Sequence, residues 1–137
     1  MRYFVAGLML ISVACAQRAS SNDSDEQALL GTSWRLVEFE GGDGRVLRPS
    51  RDDQYTLTFD EPNRAAVRVD CNRGASSWAS PERSVLRFGP LGLTKMYCGP
   101  NPLNDRIARD WEYVRTYTLK DGHLYLALMA DGGIYEF

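Results

Sequence analysis

The chain reads as a mostly β protein (α+β): a small antiparallel curved sheet or barrel of about eight strands, with one α-helix near residues 103–115. Three observations predict this. Short stretches of period-two alternation recur along the chain, each bounded by glycine, proline, asparagine or aspartate. A single stretch, Leu103 to Val114, switches to helical spacing. Cys71 and Cys98 bracket an excursion rich in glycine, serine and proline, as a clamp on a small β domain would.

At 137 residues the length suits one domain plus a tail. Apolar content is 44% and charged content 25%, ordinary for a globular protein. The formal net charge of -2, with arginines dispersed among acids, gives no basic stripe for nucleic acid.

The N-terminus comes first in the chain. Arg2 precedes an apolar run from Tyr3 to Ala14, shorter than the ~20 residues that span a bilayer. A charged start, a short apolar run and small residues at its end read as a signal peptide over residues 1–14. Two cleavage points are open. Ser12-Val13-Ala14-Cys15 resembles a bacterial lipobox, with cleavage before Cys15 and lipidation of that cysteine, although Ser12 stands where leucine is preferred. Ala14-Cys15-Ala16 satisfies the small-x-small rule, with cleavage after Ala16 and soluble export. An uncleaved anchor is the third reading. The short signal, the unpaired Cys15 and the segment behind it favour lipidation. Residues 15–28 lack aromatic and β-branched residues and read as a flexible linker. The folded domain is expected over 29–137.

Within that domain, Leu29 to Phe39 starts with a turn residue and then reads as a strand, with Trp34 and Leu36 on one face and Arg35, Val37 and Phe39 on the other. Gly41-Gly42-Asp43-Gly44 breaks it into a hairpin, and Val46-Leu47 pairs back briefly. Gln54 to Asp60 alternates most cleanly, with Tyr55, Leu57 and Phe59 on one face. It pairs as a hairpin with Ala65 to Cys71, through a Glu61–Arg64 turn. Asn72-Arg73-Gly74 then reverses the chain, since Asn and Gly tolerate positive φ. Ala75–Ala79, Ser84–Phe88 and Leu93–Cys98 read as further short strands. Gly99-Pro100-Asn101-Pro102 sets up a helix start. Leu103, Ile107, Trp111 and Val114 form its apolar stripe. Asp121-Gly122 is a hairpin signal between Arg115–Lys120 and His123–Met129. After the Asp131-Gly132-Gly133 turn, Ile134–Phe137 closes the chain.

Four motifs resemble a known family: Leu30-Gly31-Thr32-x-Trp34-x-Leu36; Val69-x-Cys71-Asn72-Arg73; Leu86-x-Phe88-Gly89-Pro90-Leu91-x-x-Thr94-x-Met96-x-Cys98; and Asp121-Gly122-x-Leu124-x-Leu126 with Asp131-Gly132-x-x-Tyr135-x-Phe137. They are similar to the META domain, the HslJ-like heat-shock family of bacterial envelope proteins, over about residues 30–137. Asp70 departs from the glycine usual before Cys-Asn-Arg, which leaves that backbone less free. Gly92 replaces a common alanine. The resemblance implies a compact β-rich fold with one helix, export often as a lipoprotein, an association with stress or resistance, and no defined reaction.

The chemistry agrees with that restraint. In an oxidising compartment Cys71 and Cys98 are expected to form a structural disulfide. A redox role lacks a Cys-x-x-Cys motif. His123 is the only histidine, so a metal site or a Ser-His-Asp triad has too few groups to draw on. No cofactor motif is present, and the chain is expected to be no enzyme. Asn72, Arg73, Trp78 and Tyr97 lie near the cysteines and form the candidate binding patch. Asn72 and Arg73 serve either as a brace for the fold or as the edge of that surface. The expected product is a monomeric cell-envelope protein that binds an envelope partner, with the membrane reached through Cys15 if lipidated. An outer-membrane lipoprotein facing the periplasm is favoured over a soluble periplasmic or secreted form. The alternatives are a periplasmic protease or lysozyme inhibitor, and a carrier holding a small apolar ligand in a barrel.

Overall fold

The computed structural model describes residues 21–137, so the signal peptide, Cys15 and the start of the expected linker lie outside the described residues. The chain runs α1 (Ser21–Leu29), β1 (Ser33–Arg35), β2 (Glu38–Gly41), β3 (Val46–Leu47), β4 (Tyr55–Glu61), β5 (Arg64–Val69), β6 (Asn72–Ala79), β7 (Arg87–Phe88) and β8 (Gly92–Leu93). Then follow α2 (Pro102–Asp110), a 3-10 turn (Trp111–Tyr113), β9 (Val114–Lys120), β10 (His123–Leu128), a second 3-10 turn (Met129–Asp131) and β11 (Gly133–Glu136).

The strands form two antiparallel sheets. One has the order β1-β4-β5-β6-β7, with β8 also on β6; the other has β3-β2-β11-β10-β9. β1 to β4, β5, β6, β9, β10 and β11 account for the longer elements once β3 is set aside, and β3, β7 and β8 span two residues each. The sheets meet along both edges. Leu36 N–H donates to the Tyr55 carbonyl (3.0 Å) while Val37 N–H donates to that of Glu136 (2.7 Å), so the chain changes sheet within two residues. At the other edge Val85 bridges Thr116, flanked by Leu86 N–H on the Arg115 carbonyl and Tyr117 N–H on that of Ser84. The result is a pair of curved sheets stitched at their margins.

Most expected pairings are present. β4 pairs β5 with Tyr55 opposite Val69 and Leu57 opposite Val67. Asp121 and Gly122 both have positive φ (53° and 80°), as the β9–β10 hairpin requires. Several details differ from the sequence reading. Phe39 is buried beside Leu36, not on the face of exposed Val37, because the sheet change at Leu36–Val37 breaks the alternation. The chain reverses at Asp70-Cys71; Asn72-Arg73-Gly74 already belong to β6. Residues 94–98 form no strand. Helix α2 ends at Asp110, and Val114 opens β9 after a 3-10 turn. Residues 21–28 of the expected linker are helical, and Leu29 at the end of α1 is fully buried.

The space between the sheets is filled with apolar side chains. Phe59, Trp78, Phe88 and Trp111 make a continuous aromatic contact chain through it. Leu103 and Ile107 bury the apolar stripe of α2. Asn101 caps that helix, its Oδ1 accepting from Leu103 N–H at 3.0 Å, and Pro102 occupies the first turn, where its missing N–H costs nothing. Arg106 and Asp110 then fix α2 to the second sheet. Arg106 Nε donates to Asp110 Oδ2 (2.7 Å), Tyr135 OH donates to the same oxygen (2.8 Å), and the Arg106 guanidinium lies 4.6 Å from the Phe39 ring centre.

The Asp110 side chain is 13% exposed and that of Arg106 32%, so removing the arginine strands a largely buried carboxylate. Arg106→Ala is expected to cost about 2 kcal/mol, less than for a fully buried pair because solvent reaches the guanidinium. Urea unfolding measures it; a loss under about 0.5 kcal/mol would show that the pair contributes only at the level of a surface bridge.

Burial, with the hydrogen bond to Asp110 second, pushes the Tyr135 phenol well above its ordinary 10.0. Burial, then the charge of Asp70, does the same to Tyr55. Because the folded-state values are raised, the neutral phenols stabilise the fold fully below pH ~10, and this contribution is lost as pH climbs beyond it. Urea midpoints are therefore expected to fall between about pH 9 and about pH 11. The fall is expected to be smaller in a Tyr55→Phe/Tyr135→Phe double variant.

Candidate functional site at the disulfide loop

The candidate site begins with the turn between β5 and β6. Asp70 adopts φ 56°, a left-handed conformation that aspartate tolerates better than most residues and glycine tolerates best. The structure shows what holds it there. Its N–H donates to the Gln54 carbonyl (2.9 Å), its carbonyl accepts from Arg68 Nε (2.9 Å), and Asn104 Nδ2 donates to its carboxylate (3.2 Å). Tyr55 OH donates in turn to Asn104 Oδ1 (2.6 Å). The Asp70 side chain thus ties the turn to Asn104 of α2, and Asn104 in turn links it to Tyr55 of β4.

Cys71, next in the turn, is bonded to Cys98, with Cα atoms 5.6 Å apart and a sequence separation of 27. Between the cysteines the chain returns along the edge of β6. Gly74 permits this: a Cβ there would collide with the Gly92 carbonyl oxygen. Thr94 continues the pairing, its N–H donating to the Arg73 carbonyl (3.0 Å) and its Oγ1 accepting from Arg73 N–H (3.1 Å).

Beyond Thr94 the ladder stops and the Asn72 side chain takes over. Its Oδ1 accepts from Met96 N–H (2.7 Å) and from Thr94 Oγ1 (2.8 Å). Its Nδ2 donates to the Met96 carbonyl (2.9 Å) and lies 3.2 Å from Cys98 Sγ. One side-chain amide therefore matches both polar groups of the Met96 backbone, as a peptide unit of a neighbouring strand would. The segment is fixed without being a strand, and it presents Met96 (63% exposed) and Tyr97 (86% exposed) to solvent. Beside them lies an open groove of about 430 Å³ whose walls include Val69, Leu93, Pro100 and Ala108.

The four residues of the expected patch separate. Asn72 is the brace for the loop, and Tyr97 is the exposed group it supports. Arg73 is exposed but opposes Arg68 across the β5–β6 ladder, on the solvent face of the sheet. Trp78 is 3% exposed; its Nε1 donates to the carbonyls of Glu61 and Arg64, and its ring packs edge-on against Phe59 at 4.9 Å. It belongs to the core and is withdrawn from the patch. Met96 and Asn104 were not singled out by the sequence reading, although Met96 falls within one of the four motifs. His123 lies elsewhere, with Nδ1 2.9 Å from Glu136 Oε1. Among the described residues no three His, Cys, Asp or Glu side chains are grouped to hold a metal ion.

The model of the META domain matches residues 27–137. The chain belongs to the META-domain family. Two solved structures share its fold. The protein from Burkholderia xenovorans, determined by NMR, superposes with a TM-score of 0.68 at 24% identity, over 96% of this chain and 97% of the other. A duf4847 family protein from Bacteroides vulgatus gives a TM-score of 0.58 at 15% identity, over 82% and 94%. No curated protein matches the chain.

The clamp of this META domain has a measurable contribution. Cys71→Ser/Cys98→Ser is expected to lower stability by about 3.5 kcal/mol on the chain-entropy account of a loop of this length. Asn72→Ala, which leaves the exposed Met96 N–H and C=O to water, is expected to cost about 0.5–1.5 kcal/mol. Urea unfolding with and without reductant checks both. Equal stability of oxidised and reduced wild type would remove the clamp from the account.

Proposed function

We propose that this META domain is an exported, non-enzymatic binding module of the cell envelope, acting in stress or resistance through the disulfide-braced loop 94–101. The observation that carries the reading is the pairing of exposure with fixation at Met96 and Tyr97. A large apolar side chain in water is commonplace. Two adjacent ones on a segment already ordered by a disulfide and the Asn72 amide are a different matter, because a partner covering them need not supply the ordering entropy. Tyrosine is also enriched at interface anchor points. The apolar run at 3–14 and the disulfide chemistry support export, with Cys15 as the lipid-modified residue of an envelope lipoprotein. Mass spectrometry of the mature N-terminus tests that part, and a free Gln17 would overturn lipidation.

The interior argues against the carrier reading. The apolar space lined by Ile107, Trp111, Val114, Leu126, Tyr135 and Phe137 has about 10 Å³ of room, at the threshold for one water and too small for an organic ligand. Inhibition of an envelope protease or lysozyme is the second reading, favoured by the same rigid projecting loop, and direct enzyme assays separate it from simple docking.

A photo-crosslinking amino acid at position 97, introduced in the producing cell, is expected to give a discrete protein adduct. The adduct should disappear in Met96→Asp while the fold, followed by circular dichroism, persists. The same adduct pattern from a crosslinker at exposed Glu82, away from the loop, would sink the proposal.

A further inference from the structure

The outer face of the first sheet carries a second feature, independent of the loop. Register places Arg35 of β1 opposite Thr56 of β4, Thr56 opposite Arg68 of β5, and Arg68 opposite Arg73 of β6. One row across four strands therefore reads Arg-Thr-Arg-Arg. The next row on the same face reads Ser33, Thr58, Ala66 and Ala75. Hydroxyls and methyl-sized side chains leave that row low, and the arginines wall an open groove of about 440 Å³ that also includes Trp34 and Asp53.

Charge in this groove is unbalanced. Among the described residues that line it, Asp53 is the one acid; it lies 3.4 Å from Arg68 Nη1 and 3.8 Å from Arg51 Nε. Arg35 and Arg73 have no ion pair among the described residues. The nearby Asp70 carboxylate is turned away, held by Asn104 on the far side of the turn. Like charges directly opposite one another on antiparallel strands destabilise a sheet. The Arg68–Arg73 pair thus works against folding, in a protein whose formal net charge is -2. A bound anion removes that repulsion. Guanidinium forks flanked by the Thr56 hydroxyl and by the mutually hydrogen-bonded Ser33–Thr58 pair, which keeps one hydroxyl proton to donate, match phosphate oxygens, which accept from both. Adjacent strands sit about 4.8 Å apart, so the row offers charge over a span of about 14 Å, too long for one phosphate.

We infer that the outer face of the β1-β4-β5-β6 sheet is a binding site for a multiply phosphorylated small molecule, held by Arg35, Arg68 and Arg73 with Ser33, Thr56 and Thr58. Its groove is within the volume range of ligand sites, and its occupant lies across the strands. The site differs from the loop at Met96 and Tyr97 in position and chemistry, and it stands or fails independently of that reading.

Tripolyphosphate is the probe, with calorimetry and thermal unfolding as readouts on the folded domain in its oxidised form. Wild type is expected to bind it saturably, with a raised unfolding temperature, weakening as salt rises. Arg35→Ala and Arg73→Ala, whose side chains have no ion pair among the described residues, should each weaken binding by about tenfold without altering circular dichroism. Asp53→Asn removes the one competing acid and should tighten binding. Inorganic phosphate should bind far more weakly than tripolyphosphate. Equal affinity of wild type and the Arg35→Ala/Arg73→Ala double variant overturns the site. So does binding to anionic phospholipid vesicles with none to free tripolyphosphate, which would make the face a membrane contact instead.

Discussion

Phe59 packs edge-on against Trp78 at 4.9 Å and stacks on Phe88, which in turn lies 4.3 Å from Trp111. These rings come from β4, β6, β7 and the turn after α2, and they are what the rest of the structure rests on. Each buries roughly 150–250 Å² and gains about 0.5–1.5 kcal/mol per pair beyond its area. The position of Trp78 is set further by two carbonyl acceptors at Glu61 and Arg64, on either side of the β4–β5 turn. Trp111 has no such partner for its Nε1 among the described residues; packing alone holds it. Since α2 ends where Trp111 begins, the helix, the first sheet and the short β7 strand share one anchor.

The aromatic chain also explains why Trp78 misled a reading from sequence. A tryptophan among serine, alanine and glycine near two cysteines looks like an exposed recognition residue. Period two along β6 contains the opposite answer: Ser76 and Trp78 are buried while Ser77 and Ala79 are exposed. Where one face alternates over several residues, as in Tyr55-Thr56-Leu57-Thr58-Phe59 or Leu124-Tyr125-Leu126-Ala127-Leu128, strands and their inward residues were legible. The stripe of α2 and its Asn101-Pro102 start were legible for the same reason. Register across the Leu36–Val37 sheet change was not, because a single irregular step moves Phe39 to the other side. The helix at Ser21–Leu29 was hidden by its composition: Leu29 and Asp25 dock it, and both contacts are tertiary.

At the candidate site, local propensity favoured a turn at Asn72-Arg73-Gly74, and three tertiary requirements prevailed. Asp70 supplies the positive φ two residues earlier, Gly74 is needed for the close approach of Gly92, and Asn72 spends its amide on the backbone of Met96. The pairing of Cys71 with Cys98 could be anticipated from compartment chemistry. The arginine row could not, since Arg35, Arg68 and Arg73 are dispersed in sequence and become neighbours only through strand register.

Helix α1 and the Met96–Tyr97 loop occupy opposite ends of one sheet. Ser84 N–H donates to Asp25 and Gly31 N–H to Phe59, at the far ends of β6 and β4, whereas the loop is bound to Asn72 at the near end of β6. The eight residues of β6 separate these poles by about 25 Å. Anchored through the lipid proposed at Cys15, the domain would act as a spacer with a polarity, its N-terminal side toward the membrane and Tyr97 at the far end of the sheet. Under that proposal, a shorter or longer segment between Cys15 and α1 would change the reach of Tyr97 without altering the surface around it.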